Sequence, residues 1–141
     1  MRSSLIVVAL FLLTACGELK SPTDPDVGGG DPIDPNATFT RVQNEIFTPT
    51  CAVIGCHDPL GQSSQMILSP GRAYGMIVDQ PSVEMPSLAR IKPNDPPNSY
   101  LYRKITGAGI TGERMPYGGP SLSDAQIRLV RDWIRRGAPN D

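Results

Sequence analysis

The chain has 141 residues and a formal charge of -1, with 13 basic residues set against 14 acidic ones. That balance leaves no electrostatic footprint for nucleic acid, and the length has room for one small domain. Aromatics make up 6% of residues while 15 prolines and 14 glycines impose many turns, so the polypeptide alone has little apolar surface to bury.

The first sixteen residues read as an export signal. Arg2 supplies the positive start, Leu5 to Leu13 the apolar run, and Leu13-Thr14-Ala15-Cys16 the close. The run is too short for a comfortable membrane span. Its ending resembles the lipobox of bacterial lipoproteins, which implies cleavage before Cys16 and lipidation of the Cys16 thiol. Several acyl chains on one residue make a stable anchor. The other reading is an ordinary cleaved signal that leaves Cys16 as an odd thiol. The chain thus divides into a signal at residues 1–15, a tether at 16–37 and a domain at 38–141. Ser21-Pro22, Asp24-Pro25, Gly28-Gly29-Gly30, Asp31-Pro32 and Asp34-Pro35 offer almost nothing to bury and predict a disordered spacer.

Phe39, Val42, Ile46 and Phe47 recur near helical spacing, with Thr38 or Thr40 as a cap, and predict a short first helix ended by Pro49. Phe39 and Phe47 are expected in the core. Directly afterwards, Cys51-Ala52-Val53-Ile54-Gly55-Cys56-His57 holds the only histidine and two of the three cysteines. Covalent attachment of a c-type haem requires this set of groups. The two thiols form thioethers with the porphyrin vinyl groups, and the imidazole next to the second thiol ligates iron. The usual spacing places two residues between the cysteines, whereas four stand here. Small Ala52 and unrestricted Gly55 suit the longer loop. The same thiols would also form a Cys51–Cys56 disulfide in an oxidising compartment. Zinc is short of ligands, because only two thiols and one imidazole remain once Cys16 is set aside.

From Asp58 to Pro97 regular signals fade, and only Arg72 to Val78 hints at a helical turn. Met66, Met76 and Met85 lie here as flexible core filler, with Met85, which precedes a proline, as a reserve iron ligand. Ser99 to Thr106 reads as a helix capped by Asn98 or Ser99, with Leu101 and Ile105 on one face and Gly107 closing it. Tyr100, Tyr102, Arg103 and Lys104 could reach a haem carboxylate, or as polar helix residues simply face solvent. In Arg114 to Pro120, Met115 offers a thioether for the iron face opposite His57, since there is no second histidine. Pro116 restricts the backbone there, and Gly118-Gly119 allow close approach. Ser123 to Arg136 is the clearest helix: Ser123 and Gln126 form a capping-box pattern, and Ile127, Val130 and Ile134 make an apolar stripe widened by Leu129 and Trp133. Trp133 is expected in the core.

Ile46-Phe47-Thr48-Pro49-Thr50-Cys51 through His57, Asn98 to Gly107, Arg114 to Pro120, Leu122 to Ile127 and Trp133 to Ala138 together resemble a family of small bacterial c-type cytochrome domains. Members are often lipoproteins, and a variant with four residues between the cysteines belongs to the family. The resemblance runs from about Phe39 onward. It implies an all-α, cytochrome c-like fold of three to four short helices around one covalently attached haem c, with the first helix packed across the last. It implies thioethers at Cys51 and Cys56 and axial ligation by His57 and Met115. The implied role is one-electron transfer between redox partner proteins rather than catalysis, with the membrane reached only through the lipid on Cys16. The place is the bacterial cell envelope, on the periplasmic or outer-surface side. Gly17 stands where the resemblance associates an aspartate with inner-membrane retention, which favours the outer membrane. Two rival outcomes are an open distal site, giving a small-ligand sensor or peroxidase-like enzyme, and a non-haem lipoprotein with a Cys51–Cys56 disulfide.

Overall fold

The computed structural model describes residues 31–141; the signal, Cys16 and the first part of the tether lie outside the described residues. Within them the elements are helical, linked by turns and three isolated β-bridges, with no strand. The Thr38 hydroxyl accepts the Arg41 N–H at 3.2 Å and starts α1, Phe39–Val42. This helix does not stop at Pro49. It widens into a π-helical stretch, Gln43–Cys51, that contains Pro49 and ends on the first cysteine of the motif. The expectation that Pro49 terminates the helix is thereby corrected. A proline ring strikes the carbonyl four residues back in an α-helix, and the wider π turn moves that carbonyl aside. Gln43 is buried, and its amide donates to the Thr48 hydroxyl at 3.0 Å and the Leu68 carbonyl at 2.9 Å. These bonds tie the stretch to the chain beyond His57.

The next helices are α2, Ala73–Ile77, α3, Tyr100–Thr106, and α4, Asp124–Arg135. Ser99 stands at the N-cap position of α3, but its hydroxyl makes no cap bond. It is fully buried, accepts the Lys92 N–H at 2.8 Å and donates to the Asp95 carbonyl at 2.9 Å. A buried hydroxyl satisfies the nearest polar groups, and here those belong to the preceding turn. Gly107 closes α3 at φ +83°, as a left-handed cap requires. Both bonds of the capping box start α4: the Gln126 N–H reaches the Ser123 hydroxyl at 3.3 Å, and the Ser123 N–H reaches Gln126 Oε1 at 3.0 Å.

Leu129, Val130, Trp133 and Ile134 are buried on α4, but so are Arg131 and Asp132, which the apolar stripe does not predict. Their cover comes from the supposed tether. The Asp34 N–H donates to Asp132 Oδ2 at 3.2 Å, Arg135 to the Asp31 carbonyl at 3.2 Å, and Arg136 to the Ala37 carbonyl at 2.6 Å. Arg41 reaches Asp34 at 3.2 Å, and Ala37 is fully buried. Residues 31–37 are therefore docked on the domain, and the ordered unit begins before residue 38. Composition misses this because the segment is held by backbone groups and charges rather than by apolar side chains.

The aromatic core gathers at Phe39, whose ring lies 6.4 Å from Phe47, 5.2 Å from Tyr74 and 5.4 Å from Trp133 between centroids. It joins α1, α2 and α4. The Trp133 indole is buried and donates to the Pro139 carbonyl at 2.9 Å, so it is a core residue. Truncating such a side chain costs about 3–5 kcal/mol. The π-helical stretch, α3 and Val130 of α4, with the loops around them, line a cleft.

Candidate functional site

The cleft has a volume of about 660 Å³. That falls in the ~300–1,000 Å³ range of cofactor sites. Cys51, Cys56, His57 and Met115 all line it, although Met115 is far from the other three in sequence. Met85 does not line it. Of the candidate carboxylate anchors, Tyr100 and Lys104 face the cleft, while Arg103 turns back to the Pro97 carbonyl and Tyr102 joins the core. Phe47 lines the cleft and Phe39 does not.

The cysteine stretch is closed on itself by main-chain bonds. The Cys56 N–H reaches the Val53 carbonyl at 3.0 Å, and the His57 N–H reaches Cys51 at 3.1 Å. From outside, the Ser63 N–H reaches Cys56 at 2.9 Å and the Leu68 N–H reaches His57 at 2.7 Å. Gly55 turns at φ +83°, a conformation other residues reach only with strain. The Asp58 carboxylate accepts the N–H of Gly61 at 2.7 Å and of Gly55 at 3.1 Å, clamping the loop from behind. These N–H groups, Gly61 first, hold the Asp58 carboxyl below its ordinary range. A Cβ on Gly61 would overlap the backbone of Gly55 and Cys56. Asp58 and Gly61 escaped the sequence reading, although Asp58-Pro59-Leu60-Gly61 carries the turn signature of Asp first, Pro second and Gly fourth.

His57 Nδ1 lies 3.3 Å from the Met66 carbonyl oxygen. A carbonyl only accepts, so the neutral ring carries its proton on Nδ1 and keeps the Nε2 lone pair for a ligand. Burial lowers the His57 pKa against the opposing pull of the Met66 and Ser63 carbonyls, which keeps the ring neutral. Cys51 and Cys56 are free thiols, the first half-buried and the second exposed. Burial, helped by the neighbouring Cys56, pushes the Cys51 thiol up to about 12. Arg90 also lines the cleft and donates to the carbonyls of Met76 at 2.6 Å, Ser64 at 3.2 Å and Gln65 at 3.3 Å. Burial lowers its pKa, yet a guanidinium keeps its charge at neutral pH.

Across the cleft, the Met115 N–H donates to the Lys104 carbonyl at 2.9 Å, and Arg114 Nε donates to the Ile105 carbonyl at 2.8 Å. Met115 is half-buried against the core. Pro116, Tyr117, Gly118 and Gly119 continue the wall, with Gly118 at φ +68°. Among the described residues, no group of three or more His, Cys, Asp and Glu side chains surrounds a metal position. No family model, curated protein or solved structure matches the chain. What the site can do follows from its own residues.

Proposed function

We propose that the chain is a lipid-anchored monohaem c-type cytochrome with a cytochrome c-like domain, which passes single electrons between redox partner proteins at the bacterial envelope. The observation that carries this reading is the convergence of Cys51, Cys56, His57 and Met115 on one largely apolar cleft of cofactor size. A haem held there supplies an iron that alternates between ferrous and ferric states. Cys51 and Cys56 would hold the haem covalently, as thioethers formed from their free thiols. His57 offers Nε2, and the bond from Nδ1 to Met66 fixes the ring plane and strengthens the ligand, as a backbone carbonyl does behind many metal-bound histidines. Met115 offers a thioether, which raises the reduction potential relative to more basic ligands.

Ile46, Phe47, Leu101, Ile105 and Val130 keep water from the same space. Arg90 and Lys104 line the cleft, the latter paired with Glu84, and Arg90 would offer positive charge to the haem carboxylates. The anchor rests on Cys16, the only thiol left for lipidation once two are committed to haem.

A denaturing gel stained for haem peroxidase activity tests the central claim. Wild type, expressed with haem-attachment machinery, gives a stained band, and Cys56→Ala gives none because the thioether beside the ligand is gone. An unstained wild-type band overturns the reading. Cys16→Ser releases the haem-stained protein from membranes, and retention through salt and carbonate washes would refute the lipid anchor.

A further inference from the structure

The loop from Gly107 to Leu122 carries Met115 and has little regular structure of its own. Two side chains of α3 grip it at one residue. Lys104 Nζ donates to the Thr111 carbonyl at 3.0 Å, and the Tyr100 hydroxyl accepts the Thr111 N–H at 3.1 Å. The same two side chains converge on a single oxygen: Glu84 Oε2 accepts from Lys104 Nζ at 3.0 Å and from the Tyr100 hydroxyl at 2.9 Å. The other oxygen, Oε1, accepts the Ser64 hydroxyl at 3.2 Å. Ser64 belongs to the short 3-10 turn Ser63–Gln65, directly before the Met66 carbonyl that orients His57. Glu84 thus bridges the segment behind one proposed iron ligand and the clamp on the loop that carries the other.

Lys104 is almost completely buried, and a buried ammonium requires a partner to hold it. Glu84 is its only ion-pair partner among the described residues. The Tyr100 hydroxyl can accept the Thr111 N–H because its own proton is committed to Glu84. A hydrogen bond with an ionised partner is about twice as strong as a neutral one, and linked bonds polarise one another.

We infer that Glu84 is a positioning residue that sets Met115 within reach of the iron, acting through Lys104 and Tyr100 on the Thr111 backbone. This rests on the proposed haem site. Without the Glu84 charge, Lys104 and Tyr100 reorient, Thr111 is released, and Met115 loses its fixed approach. The Cys51, Cys56 and His57 attachment does not depend on this loop.

The test compares holoprotein of wild type, Glu84→Gln, Lys104→Met and the double variant Glu84→Gln/Lys104→Met, in which no buried charge is left alone. In wild type the ferric sulfur-to-iron charge-transfer absorption is present and the reduced protein resists carbon monoxide. In the variants covalent haem is retained, the absorption falls, and the Met-bound equilibrium shifts by about tenfold, the scale of one charge-assisted hydrogen bond. Hydrogen exchange at the Thr111 and Met115 amides speeds up by a similar factor, while α4 amides keep their rates. Lys104→Arg, which keeps charge and donors, restores most of the absorption. Wild-type absorption in all variants overturns the role of Glu84 alone. Uniform acceleration of exchange, α4 included, reduces the network to general stability and also overturns it. Absence of the absorption from wild type overturns the Met115 ligation on which the inference stands.

Discussion

The two loops that face each other across the cleft are built by different means. The segment from Cys51 to Leu68 closes on itself: main-chain bonds join Cys51 to His57, Cys56 to Ser63 and His57 to Leu68, and the Asp58 carboxylate, directly after His57, completes it by accepting from Gly55 and Gly61. The Met115 loop has few such internal bonds. It hangs from α3, through the Lys104 carbonyl, the Ile105 carbonyl and the side chains of Lys104 and Tyr100. Local closure makes the first loop stiff by itself, whereas the second is only as well placed as the helix and the carboxylate that hold it. In the proposed cytochrome this division has a use. Attachment chemistry needs a preformed motif, and a distal ligand tuned by its surroundings needs adjustable support.

The same substitution in each loop gives the largest expected contrast. Gly61→Ala drives a methyl group into the backbone of Gly55 and Cys56, with no flexible side chain to yield, and should cost about 3 kcal/mol. Gly118→Ala meets open space and incurs only the strain of a positive φ, about 1 kcal/mol. Denaturant unfolding of the two holoproteins checks this, together with haem yield, which should drop only for Gly61→Ala. Equal costs would erase the distinction between the loops.

Met115→Ala sharpens the comparison from the distal side. Covalent haem is expected to persist, since Cys51, Cys56 and His57 are untouched, while carbon monoxide binds the reduced protein and the reduction potential falls. Loss of the thioether and entry of water both favour the more charged ferric state. Spectral titration with carbon monoxide and a potentiometric titration measure the two effects. Unchanged values would remove Met115 from the iron.

The smallest effect is an acid one. Burial alone would raise the Glu84 carboxyl, but hydrogen bonds from Lys104, Tyr100 and Ser64 win and hold it below its ordinary range. A depressed folded pKa contributes stability at neutral pH that disappears as pH falls from the ordinary carboxylate range through the folded value. Glu84→Gln should therefore be less stable than wild type at pH 7 by about 1–2 kcal/mol, because the carboxylate is partly exposed and screened but the buried Lys104 ammonium loses its partner. The gap should close in acid. Denaturant midpoints across that range check it, and a gap that stays constant with pH excludes the charge of Glu84 as its source.

Much of the helical frame was legible in the residues. Thr38, the Ser123–Gln126 pair and Gly107 mark helix ends by local chemistry, and each end lies within a residue or two of where it is read. The adjacency of Cys56 and His57 states the proposed site's chemistry without any fold. The misses share one cause. Ser99 caps nothing because its hydroxyl is drawn to Lys92 and Asp95, Pro49 fails to end a helix that can widen, and Arg131 and Asp132 are buried because residues 31–37 lie over them.

Sequence by itself determined the elements whose partners lie within a turn or two: helix caps, the reversal at Gly55 and the group of thiols beside an imidazole. Short-range bonds cost little chain entropy to close, so neighbouring residues suffice to specify them. Only the tertiary structure decided which methionine stands across the cleft from His57. Met66, Met85 and Met115 are chemically alike, yet Met85 stays off the lining, Met66 lines the cleft beside His57 and gives it a carbonyl, and Met115 takes the facing wall. That choice depends on Glu84, Tyr100, Lys104 and Thr111, residues brought together from separate segments, and no local pattern records such a meeting.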